Sequence, residues 1–279
     1  MYKFMNAIVL FIFLVGNIIP FVILQNTADI NYIKIAHRGA SAFTPENTFS
    51  AFNKALEMNV DYIELDVQMS KDRHLVVIHD KKVDRTTNGN GFVKDFTLAE
   101  LKMLDAGSWY HEDFVDEKIP TLQEVLSTFG DKVGLLIEIK YPSLYPGIEK
   151  RLAEMIDSNQ NSLLNSTNIK VQSFNIPSIQ KFQTLLPIIS SGIVLNEQTS
   201  YNQLNTIASF TDFINMHNSS LTSSFVNYAQ QLDFKVYVWV VNDRRVIGQL
   251  LLYGIDGITT DDPDIFTSLQ GNNKKLEHL

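Results

Sequence analysis

Five residues in the first third of the chain carry side chains that together could cleave a phosphate ester. They are His37, Arg38, Glu64, Asp66 and His79. Two histidines can supply an acid and a base, a guanidinium matches the oxygens of a phosphate, and carboxylates can hold a metal ion. This combination predicts metal-assisted phosphoryl chemistry.

Carboxylates two residues apart define the candidate metal site. Side chains alternate along a strand, so Glu64 and Asp66 share one face of the predicted strand at residues 62–67. Two negative charges on a wall that should be buried require a cation. Glu138 and Lys140 share a face of a later strand in the same way. Three carboxylates suit Mg²⁺ or Ca²⁺, whereas a chain without Cys and with few His disfavours zinc.

Each of these residues also has a purely structural interpretation. A single carboxylate at a strand end is usually a solvated or helix-capping group, and a single buried histidine is more often a hydrogen-bonded core residue than a catalyst. Arg38 and Lys140 could simply neutralise the carboxylates. The convergence of several ionisable groups at the ends of three strands favours the functional interpretation.

The order of the predicted elements indicates a (β/α)8 barrel, also called a TIM barrel. Strand and helix alternate about eight times in roughly 250 residues, which is the pattern of that fold. The candidate strands are 32–37, 62–67, 75–79, 133–140, 169–174, 188–195, 213–217, 236–241 and 257–260. The candidate helices are 46–58, 121–129, 147–158, 176–186, 203–209, 223–232 and 243–253.

One of the nine candidate strands is surplus to an eight-stranded barrel. Residues 68–74 are too few for a helical crossover, so the strand at 75–79 should return antiparallel to its predecessor. It would open a small insertion at about residues 75–119, directly after the His-Asp pair at 79–80. Such an insertion would sit above the mouth of the barrel.

Composition indicates one catalytic domain, which we assign to residues 30–270. The chain has 279 residues, 45% of them hydrophobic, and no Pro/Gly/Ser-rich linker divides it. A formal net charge of -8 and the lack of a Lys/Arg cluster argue against nucleic acid as a partner. The polar residues 271–279 are expected to form a disordered tail.

Residues 1–29 are predicted to be a signal peptide or a membrane anchor. Residues 5–24 contain no charged side chain and are rich in Ile, Leu, Val and Phe. The sequence at 22–25 is a poor cleavage site, whereas about 20 apolar residues could span a bilayer. The expected location is therefore outside the cytoplasm, secreted or tethered to the outer face of the cell membrane. A buried core element is the alternative, but the barrel pattern does not need one here.

The sequence resembles the glycerophosphodiester phosphodiesterase family. The matching motifs occur in order between residues 33 and 263. They are HRGA (37–40), PENT (45–48), IELDV (63–67), VIHD (77–80), RTTNG (85–89), LDAGSW (104–109), IPTL (119–122), IEIK (137–140), QSF (172–174), VWVVN (238–242) and GITTD (257–261). The resemblance implies a (β/α)8 barrel of the phosphatidylinositol-phospholipase-C-like type, with an insertion after the His-Asp motif.

The resemblance also implies roles for individual residues. Glu64, Asp66 and Glu138 would hold one divalent cation, Ca²⁺ or Mg²⁺, and His37 and His79 would be the acid/base pair. We expect His37 to take a proton from the nucleophile and His79 to protonate the leaving alkoxide, although the two could be exchanged. Direct attack by water and a cyclic phosphate intermediate both remain open.

Three further residues would bind the substrate. Arg38 and Lys140 would bind the phosphate, and Trp239 resembles the family's aromatic wall for the glycerol part, unless it is only a core aromatic of the barrel. Glu46 and Asn47 could orient Arg38 or simply begin the first helix. Val240 and Val241 lie where the family commonly has a Thr, which leaves the preferred alcohol open.

The predicted reaction is hydrolysis of a small-molecule glycerophosphodiester to glycerol 3-phosphate and an alcohol such as choline, ethanolamine or glycerol. One alternative keeps the site and changes the substrate, giving an envelope lysophospholipase D or a hydrolase of teichoic acid, a poly(glycerol phosphate). Another is a catalytically silent barrel used for binding. None of the expected catalytic histidines or carboxylates is missing, which argues against the silent barrel.

Overall fold

Strands and helices alternate along the chain in the computed structural model, which describes residues 31–160 and 168–266. The strands are β1 (Ile33–Ala36), β2 (Tyr62–Met69), β3 (Leu75–Val77), β4 (Gly134–Ile139), β5 (Ile169–Ser173), β6 (Ser190–Leu195), β7 (Phe213–His217), β8 (Lys235–Trp239) and β9 (Gly257–Thr260). The α-helices are α1 (Phe49–Glu57), α2 (Leu98–Met103), α3 (Leu122–Phe129), α4 (Ile148–Gln160), α5 (Ile176–Leu185), α6 (Tyr201–Ile207), α7 (Ser223–Gln231) and α8 (Arg244–Leu252).

Eight of these strands close into a parallel barrel. The order is β1-β2-β4-β5-β6-β7-β8-β9, and β1 pairs with both β2 and β9. The predicted (β/α)8 barrel is therefore confirmed. Because parallel strands are covered by helices on the outside and filled on the inside, β4 is buried along its whole length.

The surplus strand is antiparallel, as the short connection at 68–74 predicted. In β3, Val77 pairs with Val67 and Leu75 with Met69, in the second half of β2. The insertion that follows contains α2 and two short 3₁₀ helices, Val93–Asp95 and Glu112–Phe114. It has an apolar cluster of its own, made of Val76, Ile78, Val83, Val93, Leu101, Ala106 and Ile119. Helix α2 was not among the predicted helices.

The first helix begins three residues later than its apolar pattern predicts. Thr48 is its N-cap, and the Thr48 side chain accepts a hydrogen bond from the backbone N–H of Ala51. Asn47, just before the cap, has a left-handed backbone with φ of 58°. Glu46 and Asn47 are therefore free of the helix and available to the site described below.

Aromatic side chains fill the end of the barrel at which the strands begin. Tyr62, Phe213 and Tyr237 pack together there with Leu136. Gly192 on β6 lies directly against one of these rings, since a methyl group at this position would be 2.2 Å from carbon atoms of Phe213. Apolar filling at this end leaves the polar side chains to the other end, where the strands terminate.

Gly192→Ala should destabilise the protein by about 1–3 kcal/mol, because an added methyl group overpacks a fully buried layer. Thermal unfolding of this variant, compared with Ser190→Ala on the same strand, measures the effect. Ser190 is only half-buried. Equal melting temperatures for the two variants would show that the layer can absorb the extra carbon.

Predictions for both ends of the chain fall outside the described residues. The signal peptide or anchor at 1–29 and the tail at 271–279 belong to this group, so they stay predictions, as do the exact domain limits. Within residues 31–160 and 168–266, no helix has the length and apolar character needed to cross a membrane.

Candidate active site

Three buried carboxylates converge at the end of the barrel where the strands terminate. Glu64 and Asp66 project from β2 and Glu138 from β4, where Asp66 and Glu138 are register partners. Their ligand-capable oxygen atoms all lie within 4.8 Å of one another. Glu64 and Asp66 are each 1% exposed and Glu138 is 6% exposed. Strand alternation and the parallel register thus bring the three side chains to one point, as predicted.

The surroundings shift the pKa values of the three carboxylates in different directions. Burial raises the pKa of Glu64 well above its usual value, and repulsion from Asp66 and Glu138 adds to this. Burial also raises the pKa of Glu138. Burial acts in the same direction on Asp66, but the charges of Lys140 and Arg38 outweigh it and hold the pKa of Asp66 far below normal.

The donor set fits a hard divalent cation. All three groups offer carboxylate oxygens, which Mg²⁺ and Ca²⁺ prefer. Within the described part of the chain, Glu64 Oε1 is buried and has no hydrogen-bond partner. A buried acceptor of this kind is costly unless something positive pairs with it.

Arg38 and Lys140 contact these carboxylates directly. Arg38 Nε lies 3.3 Å from Asp66 Oδ2, and its backbone N–H donates to Glu64 Oε2 at 2.9 Å. Lys140 Nζ lies 2.7 Å from Glu138 Oε1 and 3.6 Å from Asp66 Oδ1. Arg38 and Lys140 therefore do neutralise the carboxylates, which is the structural role that the sequence left open. Their role in phosphate binding stays a prediction.

A local backbone feature places Arg38. Its φ of 57° and the φ of 81° at Gly39 turn the chain sharply after β1. Gly39 cannot carry a side chain, because a Cβ there would lie 2.6 Å from the backbone of Ala51 in α1. Asn47 completes the arrangement, since its Nδ2 donates to Asp66 Oδ2 at 2.9 Å.

His37 and His79 lie in the same cavity, and each is held by a carboxylate. His37 Nδ1 is 2.6 Å from Asp261 Oδ1, and His79 Nδ1 is 2.6 Å from Asp80 Oδ1. Because an ionised carboxylate only accepts hydrogen bonds, Nδ1 carries the proton in both rings. Nε2 is the ring nitrogen that these carboxylates do not contact.

The two histidine–carboxylate pairs differ in their surroundings. Asp261 accepts further hydrogen bonds from the neutral side chains of Ser41 and Asn242. Burial raises its pKa, but these bonds and the one from His37 prevail and lower the pKa of Asp261 to about 2. Burial lowers the pKa of His79, and Asp66 only partly opposes this.

Asp80 is paired with a full positive charge. Arg85 Nε donates to Asp80 Oδ2 at 2.7 Å, and this contact lowers the pKa of Asp80 to about 2. Arg85 Nη1 and Nη2 donate to Glu46 Oε2 and Oε1, and Glu46 Oε1 also accepts from Arg38 Nη1 at 2.8 Å. Arg85 thereby ties the insertion to both His79 and Arg38.

Aromatic rings form one side of the cavity. Trp239 lies edge-to-face against Phe174 at 5.5 Å and against His217 at 5.1 Å between ring centroids. Lys140 Nζ lies 5.5 Å from the centre of the Phe174 ring. Trp239 is therefore half-buried at the cavity, and it is not one of the aromatic residues that fill the opposite end of the barrel.

All eight predicted site residues line a single cavity of about 80 Å³. They are His37, Arg38, Glu64, Asp66, His79, Glu138, Lys140 and Trp239. The structure adds Gln172, Phe174, Val194, Asn215 and Thr259 to the lining. Two histidine–carboxylate pairs thus lie beside Arg38 and Lys140 in one cavity, an arrangement chemically able to bind an anionic group and to transfer protons.

Comparison with known proteins gives the family. Residues 37–265 match the model of the glycerophosphoryl diester phosphodiesterase family. YhdW of Bacillus subtilis (strain 168) is 45% identical over 233 residues, covering 82% of this chain and 94% of YhdW. The glycerophosphodiester phosphodiesterase of Caldanaerobacter subterraneus subsp. tengcongensis is 41% identical over 244 residues, covering 84% and 96% of the two chains.

A solved structure extends the comparison to the fold. A phosphodiesterase of Oleispira antarctica, determined in complex with the product sn-glycerol-3-phosphate, has a TM-score of 0.76 and 29% sequence identity. The match covers 86% of this chain and 96% of that one. The chain therefore belongs to the glycerophosphoryl diester phosphodiesterase family, as its motifs predicted, and is an enzyme of that class.

Proposed function

We propose that this protein is a divalent-metal-dependent phosphodiesterase that hydrolyses glycerophosphodiesters to glycerol 3-phosphate and an alcohol. The observation that carries the proposal is the group of three buried carboxylates, with ligand atoms within 4.8 Å of one another, next to two histidine–carboxylate pairs. The relatives named glycerophosphodiester phosphodiesterase support the substrate class.

Glu64, Asp66 and Glu138 would hold the cation, which we propose to be Ca²⁺ or Mg²⁺. Bound there, the ion would supply positive charge to the nonbridging phosphate oxygens, which gain charge in the pentavalent transition state. The raised pKa of Glu64 and of Glu138 supports this assignment, because it reflects negative charge that the protein does not fully compensate.

Arg38 and Lys140 would bind the phosphate of the substrate. Both side chains are largely buried and ion-paired, so they are held at the site before a substrate arrives. The guanidinium of Arg38 can offer two parallel N–H donors to two phosphate oxygens, and Lys140 offers a compact charge.

His37 and His79 would transfer the protons. We assign His37 Nε2 to the removal of a proton from the nucleophile, which is either water or the glycerol 2-hydroxyl, with Asp261 stabilising the imidazolium that results. His79 Nε2 would give a proton to the departing alcohol oxygen. Each transfer is typically worth ~10² to 10⁴ in rate. The lowered pKa of His79 works against its acid role, because it reduces the protonated fraction, so a leaving-group experiment is needed to fix the order.

Asp261→Asn should lower kcat by ~10² or more while leaving the fold intact. The amide would no longer require the Nδ1 proton of His37, and it would not stabilise the imidazolium. Steady-state kinetics of this variant, with Asp262→Asn as the matched control, measure the effect. A kcat within about twofold of wild type would contradict a positioning role for Asp261.

A substrate panel tests the proposed function. It contains glycerophosphocholine, glycerophosphoethanolamine, a lysophospholipid and poly(glycerol phosphate), each with Ca²⁺, with Mg²⁺ or with chelator. We expect metal-dependent release of glycerol 3-phosphate from the first two substrates. Turnover of the lipid or polymer alone would move the substrate to the envelope alternatives, and no turnover with any metal would overturn the proposal.

We also propose that the enzyme is exported, and is either secreted or tethered to the outer face of the cell membrane. Support comes from the uncharged run at residues 5–24. The barrel closes between β1 and β9 and so is complete without that run.

A protein lacking the residues before Asn26 should remain active and stay in the cytoplasm. Cell fractionation with an activity assay compares it with the full chain. Misfolding of the truncated protein, or a soluble cytoplasmic full-length chain, would mean that the segment belongs to the barrel.

A further inference from the structure

Asn215 presents an unused hydrogen-bond acceptor in the active-site cavity. The residue lies on the inward face of β7 and is 1% exposed. It lines the same cavity as the three carboxylates. Among the described residues, its Oδ1 atom has no hydrogen-bond partner. Buried side-chain oxygens rarely lack a hydrogen bond, so a donor is expected for this atom.

The orientation of the Asn215 amide follows from a chain of contacts that begins at a carboxylate. Glu138 forms an ion pair with Lys140 through Oε1, and an ionised carboxylate only accepts hydrogen bonds. The atom of Gln172 that faces Glu138 Oε2, at 3.4 Å, is therefore Nε2. Gln172 Oε1 then faces Asn215 and accepts from its Nδ2 at 3.0 Å. With Nδ2 engaged in this way, Asn215 offers the cavity an oxygen and not an N–H group.

Two of the side chains next to Asn215 are apolar or aromatic. Trp239 Nε1 donates to the backbone oxygen of Asn215 at 3.1 Å, which fixes the indole ring beside that residue. Val194 on β6 is the register partner of Asn215 and also lines the cavity. A ligand group that fits here has a carbon skeleton for the walls and a hydroxyl donor for Asn215 Oδ1.

We propose that Asn215 is a specificity-determining residue that accepts a hydrogen bond from a hydroxyl of the substrate's glycerol moiety. This inference rests on the proposed function. A site built to pair with a hydroxyl discriminates against an analogue that lacks it, because the buried acceptor is then left without its partner. Phosphodiesters of glycerol are therefore favoured over phosphodiesters of simple alkyl alcohols.

Two substrates with the same leaving group test the proposal on the wild-type enzyme. One is the p-nitrophenyl ester of glycerol 3-phosphate, and the other is propyl p-nitrophenyl phosphate, which has the same carbon chain without hydroxyls. We expect kcat/KM to be at least ~10-fold higher for the glycerol ester. Inhibition by glycerol 3-phosphate should likewise be at least ~10-fold tighter than inhibition by propyl phosphate.

Asn215→Ala separates specificity from a structural effect on Glu138. The ratio of the two kcat/KM values should fall by at least ~10-fold in this variant, because only the glycerol ester loses a hydrogen bond. A role through Gln172 and Glu138 alone would lower both values by the same factor. Val194→Ala is the matched control, since removing an apolar wall should affect both substrates alike.

The outcomes distinguish this inference from the proposed function. If the wild type cleaves both esters equally well, or if Asn215→Ala keeps the wild-type ratio, Asn215 does not read a hydroxyl and only this inference fails. If the wild type releases no glycerol 3-phosphate from any glycerol ester, the proposed function fails as well. The inhibition comparison does not depend on which group attacks the phosphorus. Equal inhibition of the wild type by glycerol 3-phosphate and propyl phosphate would therefore overturn the inference even if the variant does not fold.

Discussion

His37→Ala and His79→Ala should each lower kcat by ~10² to 10⁴, because each removes one proton transfer from the reaction. Both side chains are partly exposed, His37 by 15% and His79 by 23%, so both variants should keep the wild-type circular dichroism spectrum. Steady-state hydrolysis of a glycerophosphodiester measures the loss. His74→Ala is the control, since this exposed histidine lies in the turn between β2 and β3. Near-wild-type kcat in either active-site variant would remove that histidine from the mechanism.

The leaving group identifies which histidine is the acid. A p-nitrophenolate departs with little protonation, so the p-nitrophenyl ester of glycerol 3-phosphate should restore much of the rate to His79→Ala and little to His37→Ala. The opposite pattern would make His79 the base and His37 the acid. That reversed order would agree with the lowered pKa of His79, which favours the neutral ring.

Replacing a carboxylate of the buried triad should greatly reduce turnover. It should also reduce the stabilisation of the fold by bound metal. Glu64→Gln and Glu138→Gln keep the side-chain shape but remove a charged ligand, so we expect at least ~10²-fold loss of activity. Saturating metal should raise the melting temperature of the wild type, because an ion that binds only the folded state stabilises it. Both variants should show a smaller increase.

Glu149→Gln is the control for thermal unfolding with and without metal. Glu149 is a buried carboxylate outside the cavity, where it accepts hydrogen bonds from Ser178 and Lys181. Glu149→Gln should therefore lower stability in both conditions and leave the metal-induced increase unchanged. An equal metal-induced increase in all variants would place the ion elsewhere.

The barrel and the shared inward face of the buried carboxylates could be predicted because both follow from short-range periodicity, whereas Trp239 was singled out only by its resemblance to a family motif. Alternation in the segments that became β2 and β4 put Glu64, Asp66, Glu138 and Lys140 on inward faces, and the parallel register then brought them together. The antiparallel β3 followed from the length of a single connection. These features need no knowledge of which distant residues meet.

The partners of the two cavity histidines, His37 and His79, depend on contacts that periodicity does not specify. Asp261 lies 224 positions from His37 along the chain, and its motif was recognised without a role. Arg85 reaches Glu46 across 39 positions because the insertion folds back over the barrel mouth. Asn215 could have been found by alternation along β7, but only the structure shows that its Oδ1 lacks a partner.

The start of the first helix illustrates a local limit of the same kind. The apolar pattern predicted a helix from residue 46, but Asn47 takes a left-handed backbone and binds Asp66 across 19 positions. A contact at the site outweighs the helical preference of two residues. The question of whether Glu46 and Asn47 begin a helix or serve the site is thus decided by the contact with Asp66 and the ion pair with Arg38.

Release of glycerol 3-phosphate from glycerophosphocholine by the purified barrel domain, assayed with Ca²⁺ or Mg²⁺ and again in excess chelator, tests the central claim most directly. We expect sustained turnover with at least one of the two ions, loss of turnover with chelator, and recovery when the ion is added back. Full activity in chelator would contradict the role of Glu64, Asp66 and Glu138 as metal ligands. An absence of glycerol 3-phosphate under every metal condition would contradict the proposed reaction itself.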